Sequence, residues 1–524
     1  MLHSPYSPLS PISPLYPDGL IDTEWLRKHQ DLVPSILLCF YNLASDPTLA
    51  TLCDNQIKTD VNNIRALLSQ SGYKTRLAVV LLSDHASSSS SSGDGVQERL
   101  EIIRRGCGLD SKALFLVPSS DSQEELERVA ENMLTTLYTV SVEYYRDLGR
   151  HARKKRGRGV APQPTVPPTS GTSQTLSLAG WNVRYDFKSA VFAEYRLEMD
   201  VALRSYEQAY ENLLSSELME LIPSWSPRWN EARFLADVTA VRCLRCLLWN
   251  GQHSAAARRW QSHRERIADF VDRRGRGTNN YGWEAWEARW AIVMADLINK
   301  AGIPEFAPSA LRLYLTPEKS AMGERLQPWE LLHHTGYWYR LAAKHLHARK
   351  AFAHAIPEDD RRSPSASPAS HVAKSAFAYD TYMCPDPYEE YPLGRTGVDH
   401  GHLIVDRLMR ARAEFLKRHQ TRFVAEVSLE CARELAAAKD WQNIVELLRP
   451  IWRDLPFRSE GWTSVAEELN WLLRTAAAEV GDAELVILTD WELLSQGMSL
   501  SIQACLSCAN PVYLRFLEAP WLEL

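Results

Sequence analysis

No apolar run reaches about 18 residues, the length from which a membrane-spanning helix is read, so none is expected. The first residues, MLHSPYSPLSPISPLYPDG, lack a basic start followed by an apolar core and do not read as a secretory signal. There is no Walker-type Gly-x-x-x-x-Gly-Lys-Ser/Thr, no Gly-x-Ser-x-Gly elbow and no His-Glu-x-x-His pair. These gaps leave no phosphate loop, nucleophile elbow or metalloprotease site to argue from. Cysteine is scarce: 9 in 524 residues, an odd and scattered set that suits reduced thiols in the cytosol better than a disulfide framework. A strong excess of either charge is also lacking. Against 65 acidic residues stand 59 basic ones, a net of -6, which gives no general pull toward nucleic acid or acidic membranes.

What is present is the balance of a folded soluble protein, 45% hydrophobic and 24% charged, with 17 tryptophans. Rings at that density imply extensive packing between helices or large interfaces. At roughly 100–200 residues per domain the length allows two to four domains.

Prolines at positions 5, 8, 11, 14 and 17 predict an extended, disordered tail over residues 1–19. From there to residue 150 the pattern alternates. Ser35–Tyr41, Arg76–Ser83 and Lys112–Val117 are short apolar runs that read as strands buried on both faces. Between and after them lie helical patterns: Ile57, Val61, Ile64, Leu67 and Leu68, then Val96–Arg105, then about Gln123 to Leu148. This predicts a small parallel α/β domain. Residues 151–180, basic and then rich in Pro, Thr and Ser, read as a linker that few contacts should cross.

Strand signals nearly vanish in residues 181–524, which read as a helical array with a loop insertion at about 357–392. The fold class expected is α+β overall, the small N-terminal parallel α/β domain being followed by a mainly α-helical, tetratricopeptide-like solenoid. One hairpin joins Phe187, Val191 and Tyr195 to Ala202, Tyr206, Ala209, Tyr210 and Leu213, with Asp200 as the expected cap. A second joins Val427, Cys431 and Leu435 to Ile444, Leu447 and Leu448 through Lys439-Asp440-Trp441, with Pro450 and Pro456 expected to mark its end. Ser226 and Pro227 open a further helix. No strict 34-residue period is visible.

Cys243-x-x-Cys246 and Cys505-x-x-Cys508 have zinc-knuckle spacing, but both lie in helical patterns, and small apolar cysteines on a helix face are the simpler reading. His333, His334, His345, His347 and His354 offer ligand chemistry without ligand spacing. No metal, cofactor or catalytic residue is expected. Arg153, Lys154, Lys155 and Arg156 are candidates for contact with an anionic surface, and Arg258–Arg276 forms a second basic run diluted by acids.

The stretch Trp181-Asn-Val-Arg-Tyr-Asp-Phe187-Lys-Ser-Ala190-Val191-Phe192-Ala-Glu194-Tyr195-Arg196, followed by Ala202, Tyr206, Ala209 and Tyr210, resembles the opening of the foie gras domain. That domain belongs to subunit eleven of the transport protein particle (TRAPP), a vesicle-tethering complex. Gly336-Tyr337-Trp338-Tyr339, Lys439-Asp440-Trp441 and Glu460-Gly461-Trp462 resemble its later helices. The family continues into β-rich domains where this sequence stops at Leu524, so the expectation is a fungal or truncated form.

The resemblance implies a non-catalytic scaffold. Its partners would be other TRAPP subunits and, indirectly, a Rab GTPase. Its place would be the cytoplasm, peripheral on ER-Golgi and Golgi membranes, with a role in autophagy and no nucleic acid bound. The packing and contact residues implied are Phe187, Tyr195, Tyr206, Tyr210, Tyr337, Trp338, Trp441 and Trp462. The alternative is a helical-repeat adaptor that binds other protein or nucleic-acid partners through the basic clusters.

Overall fold

The computed structural model describes residues 7–13, 15–16, 18–44, 46–86, 93–119, 122–159, 176–223, 227–273, 277–315, 331–355, 399–453 and 463–495. The serine-rich stretch 87–92, the expected loop at 357–392, the linker segment 160–175, Ser226, Arg274, Arg276, Pro456, Trp462, Cys505 and Cys508 lie outside these residues. The chain divides into two compact units, Met1–Gln252 and His253–Leu524.

In the first unit, strands β1 (Ile36–Leu43), β2 (Arg76–Ala86) and β3 (Leu114–Ser119) form a parallel sheet in the order β1-β2-β3. Ile36 pairs with Arg76, and Val79 with Leu114. The helices between them, α2 (Pro47–Gln70) and α3 (Gly93–Gly106), close one face over a core of Leu43, Ile57, Val61, Val79, Leu81 and Ile103. The expectation of three doubly buried strands holds only for β2. Ala78–Leu81 are all buried, whereas β1 and β3 are edges and Phe40 is 58% exposed. A three-stranded sheet has one central strand, and hydrophobic runs alone do not reveal which it is.

The Pro-rich start is not an extended tail where it is described. Ser10 N–H donates to Ser7 O and Ser13 N–H to Ser10 O, at 2.8 and 3.0 Å, with Pro8 and Pro11 inside the turns. A proline pre-sets φ for the second position of such a turn, so a period of three serves successive turns as well as a polyproline helix. Leu9 is buried, and Ser7 Oγ accepts from Arg184. A short helix α1 (Thr23–Arg27) and a π turn (Lys28–Leu32) lead into β1.

Helix α4 runs from Gln123 to Arg156, well past the predicted end near Leu148. Its apolar stripe continues through Gly149 and Ala152, both buried, and the basic residues Arg153–Arg156 fill its last turn, where cations balance the helix dipole. The basic run is therefore a helix terminus. Helices α5 (Leu178–Glu194) and α6 (Met199–Leu213) follow, then α7 (Pro227–Trp249). Contacts cross from α4 to α5 and to the turn after it: Trp181 Nε1–H donates to Lys155 O at 3.1 Å, Arg156 pairs with Asp186, and Arg196, just past α5, donates to Tyr145 O at 3.3 Å. The α/β layer and the first helical hairpin thus belong to one unit, contrary to a split at residues 151–180.

The second unit is helical: α8 (His253–Arg273), α9 (Tyr281–Ala301), α10 (Thr335–His354), α11 (His400–Lys417), α12 (Thr421–Ala437), α13 (Trp441–Arg453), α14 (Thr463–Val480) and α15 (Ala483–Ser495). From α9 onward each helix packs on the next in sequence, as in a solenoid. Pro450, expected as a terminator, lies inside α13.

The repeat is legible in the turns. Leu197, Gly251, His419, Lys439 and Gly481 all have positive φ. The residue after each donates its N–H five residues back: Glu198 to Ala193, Gln252 to Leu247, Gln420 to Phe415, Asp440 to Leu435 and Asp482 to Ala477, at 2.9–3.1 Å. This is the Schellman closure of a helix end. It also displaces the expected cap. At the start of α6 the flanking residue is Glu198, with no side-chain cap, while Asp200 accepts from Asn250 at 2.9 Å.

Candidate functional site

Three places gather the residues singled out from the sequence. The first is the hairpin α5–α6 with α7. Phe187, Tyr206 and Tyr210 are fully buried, and the Phe187 and Tyr206 rings meet edge to face at 5.6 Å. Tyr195 is half-buried, its ring 5.0 Å from that of Tyr145. Beneath them lies a polar cluster that the sequence did not announce. Glu194, 1% exposed, accepts from the Tyr206 hydroxyl at 2.6 Å and from Arg242 at 2.7 Å, and Arg245 pairs with its other oxygen at 2.7 Å. Burial first, then the adjacent carboxylate, pushes the Tyr206 hydroxyl well above its ordinary range, so it stays a donor. Cys243 and Cys246 are buried on α7 beside this cluster, and burial pushes the Cys246 thiol up to about 12, the behaviour of packed rather than reactive sulfur.

The second is a tryptophan spine in the other unit. Trp260 Nε1–H donates to Trp290 O at 3.0 Å, and Trp290 Nε1–H donates to Trp260 O at 3.2 Å. The two rings stack at 6.1 Å, with Trp338 edge-on to Trp260 at 4.8 Å. Trp286 stacks on Trp290 at 5.9 Å. Trp338 is therefore a packing residue, its own N–H satisfied by His333 O.

The third is a concave surface of about 850 Å³ beside α10, α11 and α12. Tyr314, His333, Tyr337, Phe415 and Phe423 supply aromatic walls, with His333 stacked on Tyr337 at 4.2 Å and Phe415 on Phe423 at 5.0 Å. Arg340 reaches Glu426 at 3.0 Å and Glu430 at 2.6 Å. An aromatic floor with charged groups around it is the composition of a protein contact. Of this set the sequence reading named Tyr337 for contact and His333 only for its ligand chemistry. Phe415 and Phe423 come from distant helices, and their only signal was apolar spacing. Trp441 is half-buried at the start of α13.

The histidines do different work. His345 meets Glu284 at 2.8 Å and His347 meets Glu434 at 3.2 Å, and among the described residues no group of three or more potential ligands could hold a metal. His334 caps α10, its Nδ1 accepting from Gly336 N–H at 3.1 Å. Burial, then the Arg418 guanidinium, lowers its imidazole to about 3 from 6.5. The fold thus binds only the neutral ring. The stability this contributes is complete above pH 6.5 and is lost as pH falls toward 3, at up to about 1.4 kcal/mol per pH unit. His334→Asn keeps a capping acceptor and should flatten the acid limb of the stability profile. Urea midpoints measured across that range check this, and an unchanged slope would assign the acid sensitivity elsewhere.

In the basic run, Arg153 and Lys154 are exposed, Arg156 is engaged by Asp186, and Lys155 is half-buried. Among the described residues no helix is long and apolar enough to cross a membrane.

Comparison with known proteins gives two family matches. Residues 1–126 match the trafficking protein particle complex subunit 11 N-terminal domain, and residues 228–496 match Foie gras liver health family 1. The second match begins inside α7, whereas the resemblance in the sequence is carried from Trp181. Trafficking protein particle complex subunit 11 of Bos taurus is 23% identical over 478 residues, which is 88% of this chain and 37% of the relative. The Homo sapiens protein of that name is 22% identical over 464 residues, 85% of this chain and 36% of the relative. This chain thus spans little more than a third of the length of these relatives. With its sheet-bearing front and its helical array each matched in order along the sequence, the chain belongs to the foie gras family of trafficking protein particle complex subunit 11.

Proposed function

We propose that this chain is a non-catalytic scaffold subunit of a TRAPP vesicle-tethering complex, acting in ER-to-Golgi and Golgi traffic. The observation that supports it is the similarity to subunit 11, at 23% identity over 88% of the chain. In this reading the foie gras domain opens at Trp181 in the sequence, ahead of the matched residues 228–496. Other TRAPP subunits are its direct partners, and a Rab GTPase is reached through the complex, with a further role in autophagy. Membrane association is peripheral. The exposed Arg153 and Lys154 add a weak attraction to anionic lipid, about 1 kcal/mol each.

The contact with partner subunits is assigned to the aromatic surface around Tyr337 and Phe423, where rings can be covered without refolding. Affinity purification of the tagged chain followed by mass spectrometry is the test. Co-purification of other TRAPP subunits is expected, and its absence removes the reading. Tyr337→Ala with Phe423→Ala should reduce their recovery several-fold while circular dichroism stays unchanged. Undiminished recovery places the contact on another face.

A further inference from the structure

A second cavity, of about 300 Å³, lies in the first unit between α1 and its π turn, the segment Gly72–Lys74, the end of α4 and the face of α5. Lys28, Lys74, Lys155 and Lys188 line it, joined by His29 and His151. The one carboxylate in its wall, Asp147, is engaged by Arg76 and Arg150 at 3.2 Å each. Four lysines therefore line the cavity with no free acid between them among the described residues. Aromatic rings stand where carboxylates would be expected. The Lys188 ammonium lies 4.6 Å from the Trp25 ring centre and 5.5 Å from that of Tyr185, and Lys28 lies 4.6 Å from the Tyr73 ring. A ring face steadies a cation without neutralising it.

Among the described residues neither Lys155 nor Lys188 has a carboxylate partner. One helical turn before Lys188, Arg184 is fully buried, and its Nε and Nη1 have no hydrogen-bond partner among the described residues. The field reaching the cavity is thus positive from several sides. Burial, then Arg184, Lys155 and Lys28, holds the Lys188 ammonium well below the usual lysine range. Burial, then Lys28 and Lys188, lowers His29 to about 4. Such crowding is unfavourable in an empty site and is relieved when an anion enters.

We propose that this cavity binds a phosphomonoester carried on a compact polyol, with Lys155 and Lys188 holding the phosphate. Several point-charge donors around one spot suit a dianionic phosphate, and aromatic walls suit the C–H face of a ring polyol. A soluble inositol phosphate and the headgroup of a phosphorylated inositol lipid share this chemistry. Nothing in this proposal depends on membership of a complex.

The test is calorimetry of the full chain with inositol trisphosphate, run in two buffers of different ionisation heat, beside co-flotation with phosphatidylcholine vesicles containing phosphatidylinositol bisphosphate. Saturable binding with net proton uptake is expected, because the anion restores charge to lowered groups. Lys188→Met and Lys155→Gln should each weaken binding about tenfold or more. Lys154→Gln, outside the cavity, should leave inositol trisphosphate binding unchanged. Thermal unfolding of Lys188→Met shows whether the fold persists, and removal of a crowded cation should not lower it. Binding of the soluble probe at equal strength identifies a soluble ligand. Binding confined to vesicles, sensitive to Lys188→Met and absent with phosphatidylserine, identifies a lipid headgroup. The proposal is overturned if neither probe saturates, or if Lys188→Met and Lys155→Gln bind like the wild type.

Discussion

Truncating Tyr206 and Tyr210 together to alanine should unfold Met1–Gln252 as a whole, the sheet included. Both side chains are fully buried one helical turn apart on α6. Loss of a buried aromatic typically costs about 3–5 kcal/mol, and a domain's whole stability is about 5–15 kcal/mol. The two costs need not add, since the residues are neighbours. Tyr206 carries a second cost, because its hydroxyl is one of the donors that hold Glu194 in the interior. Tyr206→Phe isolates that part and should cost about 1.5–3 kcal/mol, the range for a hydrogen bond to a charged group.

The sheet should follow the hairpin because α4 packs both on the strands and on α5. Hydrogen exchange gives the decisive reading: β2 amides should lose protection together with those of α6. Protected β2 in the double variant would show that the α/β layer folds without the helices.

Trp260→Ala should be the most damaging single truncation in the second unit, at about 3–5 kcal/mol from the lost ring. One of the two reciprocal bonds adds to it: the variant removes the Trp260 indole donor to the Trp290 carbonyl, while the Trp290 indole N–H keeps its acceptor, the main-chain carbonyl of residue 260. Trp260→Phe keeps much of the stacking surface and loses only the donor, so it should fall well short of the alanine variant. Urea unfolding followed by circular dichroism separates the two. Equal losses would mean that the one indole hydrogen bond, rather than the ring, dominates at this site.

Much of this architecture was legible in the sequence. The three strands announced themselves as short apolar runs, and the hairpins as small residues set among large ones. What escaped has identifiable physical reasons. The charge run at Arg153–Arg156 hid the fact that the apolar stripe of α4 continues to Ala152. Prolines every third residue suit a polyproline helix and a row of turns equally, and only the buried Leu9 separates them. The pairing of Glu194 with Arg242 spans 48 positions, and each residue alone reads as a solvated charge. The aromatic surface at Tyr337 likewise needs Phe415 and Phe423, which join it only after α10, α11 and α12 have packed.

The turn shared by the helix ends at Leu197, His419 and Lys439 bears on how such a sequence can age. Its closing bonds run entirely between main-chain groups, so no particular side chain is required at the joint. A leucine, a histidine and a lysine all occupy the left-handed position, each accepting a penalty of roughly 1–2 kcal/mol that glycine would avoid. Substitutions at these joints leave the hydrogen bonds that redirect the chain in place, while helix lengths between them can differ, as α6 and α12 do with 15 and 17 residues. Mutational drift can then erase every trace of a periodic signature while each bend survives, and a relationship at 23% identity is the kind that such a joint can outlast.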